Sequence, residues 1–342
     1  MALGILASRK LLEMMGSPAD VIDLSVLYLR VYFIGMPATM VYNFASAVLK
    51  AKGDTRRPLF ALMIAGMLNA SLNVLFVVVF KLDVAGVGLA SAISSYVSAI
   101  LVLFALVKDE GIVHLELKHL YLEKEAFRDI LKVGLPAGLQ STIFSISNVA
   151  IQSSVNSFGK IVMAANGAAG SIADFIYVMM NSFYQTCLTF TSQNIGAGKV
   201  RRSRNILMVC LCLVTVFGFL FGNSAYLLGK QFLSIYSDDP EVIAAGMIKL
   251  AIFCKPYFIC GIMDVLVGSL RGMGSSIFPM ITSLLGSCAF RLVWIATYFH
   301  AHYSIDVLYY SYPLSWMLTA LAHILTFFFV YARIRKRNDN VV

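Results

Sequence analysis

Long uncharged apolar stretches alternate with short polar connectors along this chain. The stretches show no alternation of period two, so they predict helices rather than strands. A helix crosses a hydrocarbon core of about 30 Å with roughly 20 apolar residues and satisfies its own backbone there. We therefore predict an all-α integral membrane protein with a stub at 2–15 and nine complete transmembrane helices, at 22–49, 58–80, 86–107, 128–157, 162–190, 205–228, 242–270, 277–299 and 306–332.

The composition supports a membrane location, because 59% of the residues are hydrophobic and only 13% are charged, against about 25% charged in a soluble domain. The net charge of +9 is concentrated in alternate connectors, which indicates membrane topology rather than nucleic-acid binding. We expect a multi-pass protein of the plasma (inner) membrane with a cytoplasmic C-terminus. The basic side carries residues 50, 52, 56, 57, 108, 118, 124, 128, 132, 199, 201, 202, 204, 271, 333, 335, 336 and 337, whereas the opposite side carries only 9, 10, 81, 160 and 230.

The chain contains an internal repeat with a shift of 221 residues. This shift places the turn at residues 49–59 over the turn at residues 270–280, and both turns contain Gly and then Pro after a long apolar stretch. Both copies lie on the basic side, so they predict parallel repeats of a six-helix bundle (6+6). The first copy lacks counterparts of 128–157 and 162–190, so we expect the chain to be truncated at its N-terminus, by about 90 residues.

The predicted domains follow from this repeat. We expect an incomplete N-terminal lobe at 1–107, a cytoplasmic connector at 108–127, a six-helix C-terminal lobe at 128–332 and a cytoplasmic tail at 333–342. Leucines at positions 115, 117, 120 and 122 predict a short surface helix in the connector.

Five short Gly-rich segments resemble those of the MATE (multidrug and toxic compound extrusion) family, whose fold is a two-lobed helix bundle. Each segment alone is unspecific, but their order and spacing along the whole chain are specific. The segments are Lys52-Gly53-Asp54-Thr55-Arg56-Arg57-Pro58, Gly86-Val87-Gly88-Leu89-Ala90-Ser91-Ala92, Gly134-Leu135-Pro136-Ala137-Gly138-Leu139-Gln140, Ser192-Gln193-Asn194-Ile195-Gly196-Ala197-Gly198-Lys199 and Leu270-Arg271-Gly272-Met273-Gly274.

This resemblance implies a secondary active transporter that exports drugs or metabolites by antiport with Na⁺ or H⁺. The expected partners are cationic or neutral amphipathic small molecules, the coupling cation and the lipid bilayer, and we expect a monomer that needs no cofactor beyond the ion gradient. The chain departs from the family where some members carry an acidic residue. Phe76 follows Leu72-Asn73-Val74-Leu75, and residues 134–157 contain no acid, so the coupling site cannot be transferred from the resemblance.

Asp174, Lys255, Arg291 and Asp264 fall inside predicted spans, where an ionisable group is costly without a partner, water or a function. Asp174, Lys255 and Arg291 lie roughly 20–24 Å from the cytoplasmic ends of their helices, and Asp264 about 9 Å. Asp174 and Asp264 are therefore ion-coupling candidates, with Lys255 and Arg291 as charge partners. The alternatives are a structural ion pair for Asp174 and a solvated position at the cytoplasmic mouth for Asp264.

Two polar stripes predict facing walls of a cavity. Residues 141, 145, 148, 152 and 156 recur at helical spacing, and so do residues 174, 177, 181 and 185 on the next helix. Packing by interhelical hydrogen bonds is the alternative to a water-lined wall. The cavity-lining candidates are Asn148, Gln152, Tyr177, Asn181 and Gln185.

Other polar residues predict no further chemistry. The six cysteines all fall in apolar spans, so we expect buried thiols without disulfides or a metal site. Arg30 and Lys249 lie near outer helix ends, where they can extend toward water. We expect no enzyme, because no nucleophile–base pair or metal cluster converges at one depth. A flippase for lipid-linked precursors or a polysaccharide exporter is the alternative function, and many basic residues in the cleft would favour it.

Overall fold

The computed structural model describes residues 1–14, 22–111, 113–116, 118 and 121–339. Within these residues the protein is helical, without strands, which confirms the all-α prediction. The chain divides into two compact units, Met1–Leu122 and Glu123–Val342. Leu117 and Leu120 of the predicted connector helix lie outside the described residues. Residues 113–116 are not helical.

The described residues of unit 1 form four helices: α1 (Ala2–Met14), α2 (Ile22–Lys52), α3 (Arg56–Val79) and α4 (Asp83–Val107). Helix α3 ends in a π-helical turn at Leu75–Val79. Glycines allow α2 and α4 to approach closely, because a Cβ at Gly35 would lie 3.1 Å from the Ala92 backbone. The apolar core of the unit consists of Ala45, Leu49, Ala61, Val102 and Leu106.

Unit 2 has eight helices in its described part, and they pack around a core centred on α6, α7, α10 and α12. Several long side chains in this core are fully buried, including Met180, Leu250, Leu266 and Leu270. The helices are α5 (Lys124–Asn156), α6 (Lys160–Gly196), α7 (Val200–Leu227), α8 (Gly229–Ser234), α9 (Pro240–Phe253), α10 (Tyr257–Gly272), α11 (Ile277–Phe299) and α12 (Ile305–Asp339).

Seven helices of the described chain are long and apolar enough to cross a membrane, namely α2, α3, α4, α6, α7, α11 and α12. Helices α9 and α10 together make an eighth candidate, bent by 47° at the break between them. The predicted single span at 242–270 is therefore two helices. Helix α5 has 33 residues, but its Ser, Asn and Gln side chains make it less apolar, so the nine predicted spans are not confirmed as a set.

The two copies of the repeated turn share their backbone geometry. Gly53 and Gly274 both have positive φ, 98° and 78°, which favours glycine. In both copies the next amide closes the preceding helix, because Asp54 N donates to Leu49 O and Ser275 N donates to Leu270 O, each at 3.0 Å. The sequence match at this turn is thus also a match of local structure.

Cysteines were predicted to be buried thiols, and the structure corrects one of them. Five of the six free cysteines are buried, whereas Cys212 is exposed on α7. The neighbouring Cys210 is buried against the core. Successive residues on a helix point about 100° apart, so two cysteines separated by one residue cannot face the same neighbours.

A buried carboxylate ties three helix ends of unit 1 together. Asp109 is 3% exposed, and it accepts hydrogen bonds from Lys52 Nζ at 2.7 Å, Arg57 Nη1 at 3.0 Å and Gly111 N at 3.0 Å. The hydrogen bond from Lys52 is the main cause that lowers the pKa of Asp109 below its ordinary value. The ion pairs link the C-terminal end of α2 and the start of α3 to the residue that follows α4.

We expect Asp109→Asn to lower the melting temperature of the protein, because the variant leaves Lys52 and Arg57 without their acceptor. A lowered carboxyl pKa stabilises the fold above the unfolded value of about 3.9, and this contribution is lost as the pH falls through the folded pKa. The difference in melting temperature between wild type and variant should therefore be largest near neutral pH and become smaller in acid. Glu110→Gln, at an exposed neighbour, is the control, and equal melting of all three proteins at pH 7 would contradict the expectation.

Candidate functional site

Unit 2 contains a cavity of about 510 Å³, within the range of small-molecule sites. Its walls come from α5, α6, α10, α11 and α12 and from the last residue of α9. The lining combines aromatic faces, uncharged polar groups, one carboxylate and two guanidinium groups. It consists of Gln140, Ser141, Phe144, Asn148, Tyr177, Asn181, Tyr184, Phe253, Tyr257, Cys260, Met263, Asp264, Val267, Arg271, Arg291, Tyr312 and Trp316.

Helix α10 presents one face to the cavity and the other to neighbouring helices. The lining residues follow helical spacing at positions 260, 263, 264, 267 and 271. On the adjacent side, Gly268 and Gly272 meet α6, where an added Cβ would lie 2.8 Å from the carbonyl oxygens of Tyr184 and Leu188. This close approach of small residues fixes the rotation of α10, and with it the direction of Asp264.

Four aromatic rings form one wall at the break between α9 and α10. Phe253 lies 4.9 Å from each of Tyr257, Tyr312 and Trp316, measured between ring centroids. Tyr257 stacks on Trp316 at 5.3 Å. The edge-to-face and stacked arrangements hold the rings in fixed positions, so the wall offers preorganised aromatic faces to a ligand.

The two guanidinium groups of the cavity both have protein partners. Arg271 donates to Tyr184 Oη at 2.8 Å and to Gln140 Oε1 at 2.9 Å, and it thereby joins α10 to α6 and α5. Arg291 is 4% exposed and donates from Nε to Ser315 Oγ at 2.9 Å. Its guanidinium carbon lies 4.3 Å above the Tyr312 ring.

The carboxylate of Asp264 lines the cavity and forms no hydrogen bond or ion pair with any residue that the structure describes. Its side chain is half-buried. A carboxylate at such a position can bind a cation, accept a proton or pair with a charged ligand. Asp264 is thus the acidic group of the cavity lining, and it has capacity for an external partner.

The predicted stripes reach the cavity only in part. Asn148, Tyr177 and Asn181 are among the lining residues, whereas Gln152 and Gln185 are not. Gln152 instead donates to Asn156 Oδ1 at 2.8 Å and accepts from Asn166 Nδ2 at 3.0 Å, and Gln185 is exposed. On α6 the lining extends from Tyr177 to Tyr184, about 10 Å along the helix, so the polar stripe is longer than the cavity.

Asp174 lies away from the predicted charge partners. Its side chain is exposed on α6, and the structure pairs it with neither Lys255 nor Arg291 in the part of the chain it describes. Lys255 is exposed at the break between α9 and α10, with Nζ 3.8 Å from the Tyr226 ring centroid. Arg291 instead donates from Nε to Ser315, so the structure does not show the alternative of an ion pair between Asp174 and either base.

Lys249 was expected to extend toward water, and the structure corrects this. Its side chain is 9% exposed, and its Nζ donates to the carbonyl oxygen of Asn166 at 2.9 Å. The aromatic rings of Phe253 and Tyr309 lie 5.7 and 6.0 Å from Nζ. Helix α9 packs against α6 and α12 at this position, which leaves the side chain no direct path to the surface.

Sequence patterns did not identify several residues of the cavity. Gln140, Tyr184 and Arg271 form the hydrogen-bonded group at one end of it, and the aromatic wall was not predicted. A signal was present for two of them, because Gln140 and Arg271 each lie in a segment that carries the family resemblance.

The family model described as MatE matches residues 1–75 and 136–297 of this chain. Among curated proteins, the probable multidrug resistance protein YpnP of Bacillus subtilis (strain 168) is 28% identical over 299 residues, which cover 87% of this chain and 66% of YpnP. The probable multidrug resistance protein YoeA of the same strain is 26% identical over 289 residues, which cover 82% of this chain and 62% of YoeA. The chain therefore spans somewhat less than two thirds of the length of these relatives.

Solved structures share the fold. The bent form of VcmN, a MATE transporter of Vibrio cholerae, superimposes with a TM-score of 0.84 at 19% sequence identity. The match covers 98% of this chain and 75% of that chain. At this identity the likeness concerns the arrangement of helices.

Proposed function

This chain belongs to the MATE family, and from that membership and the cavity in unit 2 we propose that it acts in a secondary active exporter. The proposed cargo is amphipathic, aromatic and either cationic or neutral, and the proposed driving force is exchange for Na⁺ or H⁺. One observation carries the proposal, namely an unpaired carboxylate, Asp264, in a cavity of about 510 Å³ with an aromatic wall.

The lining supports the proposed substrate class. Aromatic faces bind planar and cationic groups by stacking and by cation–π attraction. The two guanidinium groups are held by hydrogen bonds to uncharged side chains, whereas Asp264 has no hydrogen-bond or ion-pair partner among the described residues and can pair with a cationic group of the cargo. Asn148 and Asn181 add amide donors and acceptors that can orient a ligand.

Coupling is proposed to occur at Asp264. A carboxylate oxygen is a suitable ligand for Na⁺ and also a proton acceptor, so the same residue can serve either gradient. If cation and substrate both bind near this carboxylate, each lowers the affinity of the other by the same factor. Exchange of one for the other then follows from competition. Asp174 is the second candidate, and its exposed position outside the cavity lining makes it the weaker one.

This chain belongs to the family and has several helices long and apolar enough to cross a membrane, so it is a multi-pass membrane protein. We further propose nine spans, in which α5 crosses the membrane with its polar side toward the cavity. The repeated turn at Gly53 and Gly274 supports two parallel bundles within a 6+6 arrangement, with lobes at 1–107 and 128–332. The basic connectors support a cytoplasmic C-terminus. The proposed protein is a monomer without catalytic residues or a cofactor.

Everted membrane vesicles with the full-length protein test the proposed function. We expect an aromatic cationic dye to accumulate in the vesicles when Na⁺ or H⁺ is imposed at high concentration inside, and to stay outside without a gradient. Vesicles without the protein are the control, and imposing each gradient separately identifies the coupling ion. Transport of a lipid-linked sugar without dye accumulation under either gradient would replace this proposal with the flippase alternative.

A further inference from the structure

A second pocket of unit 2, of about 300 Å³, lies at the turn between α10 and α11, apart from the proposed substrate cavity. Two of its lining side chains are basic, Lys132 from α5 and Arg333 from α12. Its apolar lining includes Phe278 and Phe329, whose ring centroids are 6.0 Å apart. Because these rings are 45% and 58% exposed, the pocket joins a basic recess to an open apolar surface.

The recess contains a buried polar group without a partner. Ser276 is 3% exposed, lines the pocket, and its Oγ has no hydrogen-bond partner. It precedes α11, a helix of 23 residues whose start is not capped by any side chain. The first turn of a helix carries unpaired N–H groups and a partial positive charge, so an anion is stabilised there.

The first copy of the repeat shows what occupies the same position in unit 1. There Asp54 Oδ1 accepts from the backbone N–H groups of Arg56 and Arg57 at 3.1 and 3.2 Å, at the start of α3. The shift of 221 residues places Ser275 at the position of Asp54, so unit 2 has no carboxylate at the start of α11. The first N–H groups of α3 in unit 1 are therefore bound by the Asp54 carboxylate, whereas the start of α11 in unit 2 has no corresponding carboxylate.

We propose that this pocket binds the phosphate of an anionic phospholipid headgroup. The phosphate takes the place that the Asp54 carboxylate has in unit 1, with Ser276 Oγ as a donor and Lys132 and Arg333 as counter-ions. Lys132 already contacts Asp129 Oδ1 at 2.7 Å on an exposed surface, where ion pairs contribute little and can be exchanged. Arg333 has no acidic partner among the residues that the structure describes.

A lipid fits this pocket better than free phosphate. Phe278 and Phe329 flank the recess with exposed apolar rings, which a phosphate ion would not contact and acyl chains would cover. In the proposed topology the turn lies on the basic side of the membrane, where anionic lipids are enriched. The inference is independent of the substrate cavity, and its test does not require transport.

Native mass spectrometry of the purified full-length protein with phosphatidylglycerol, phosphatidylcholine or inorganic phosphate tests the site. We expect retention of phosphatidylglycerol but not phosphatidylcholine, and an apparent affinity about fivefold lower in Arg333→Gln and in Lys132→Gln, since a base near the surface contributes roughly 1 kcal/mol. Ser275→Asp restores the carboxylate of the first repeat and is expected to reduce retention further. Arg201→Gln, an exposed base at the start of α7, is the matched control and should bind like wild type.

Unchanged retention in Arg333→Gln and Ser275→Asp would overturn the site. Displacement of the lipid by inorganic phosphate at equal concentration would overturn the lipid as occupant. If Ser275→Asp does not fold, Arg333→Gln against Arg201→Gln decides, because both replace an exposed arginine and only the first lines the pocket.

Discussion

Replacing Asp264 by asparagine is expected to reduce gradient-driven export by roughly 5- to 150-fold. This factor corresponds to the coupling free energy of about 1–3 kcal/mol that is typical between two sites. The substitution keeps the size of the side chain and removes the charge that the coupling cation needs. Because Asp264 forms no ion pair with the residues that the structure describes, the substitution breaks no such contact, and the melting temperature should change little. Initial rates of dye uptake into everted vesicles, with and without the gradient, measure the effect.

Asp174→Asn is the matched control for this prediction. The residue is an exposed aspartate at a different position of unit 2, outside the cavity lining. We expect export within twofold of wild type, about the spread expected for a surface substitution. A large loss of export in Asp174→Asn with full activity in Asp264→Asn would reverse the two assignments, and loss in neither would remove both of these carboxylates from the coupling mechanism.

Gly222→Ala is expected to destabilise the protein by about 1–3 kcal/mol, the usual cost of overpacking a tight contact. The Cβ of an alanine there would collide with the carbonyl oxygen of Cys254, at the break between α9 and α10. That carbonyl accepts from Tyr257 N at 3.2 Å, so displacing it moves Phe253 and Tyr257 of the aromatic wall. We therefore expect both a lower melting temperature and weaker binding of dye.

Gly167→Ala provides the comparison, because a Cβ at this helical glycine of α6 would meet no atom within 4 Å. Alanine has the higher helix propensity, so the variant should be neutral or more stable by up to about 1 kcal/mol. Thermal unfolding of both variants in the same detergent or nanodisc separates the effect of the steric clash at Gly222 from the general effect of replacing a helical glycine by alanine. Equal melting of Gly222→Ala and wild type would contradict the close approach of α7 to the break.

Apolar run length predicted most helix positions in this protein, because a span must match the membrane thickness. The prediction at 205–228 corresponds to Val200–Leu227, and that at 86–107 to Asp83–Val107. The break in 242–270 was missed although Pro256 marks it. A proline alone does not predict a helix break, since Pro136 and Pro313 lie inside unbroken helices.

The site residues were harder to predict from the sequence than the helices, because the depth of a residue along a helix does not define whether its side chain faces other helices. Asp174 and Asp264 were both placed inside the membrane, yet the first is exposed and the second lines the cavity. Their orientation is set by tertiary contacts such as Gly268 against Tyr184. Arg271 was identified as a turn residue, but its long side chain reaches back to Tyr184 and Gln140.

The aromatic wall gives this protein a built-in optical reporter. The sequence contains two tryptophans. Trp316 lines the cavity at 3% exposure, whereas Trp294 donates to the carbonyl of Val307 outside the lining. Indole emission responds to the polarity of its surroundings and to quenching by a neighbouring chromophore, so a ligand against Phe253 and Tyr257 changes the fluorescence of Trp316. With Trp294 replaced by phenylalanine, Trp316 is the remaining tryptophan of these 342 residues and reports cavity occupancy without any attached label.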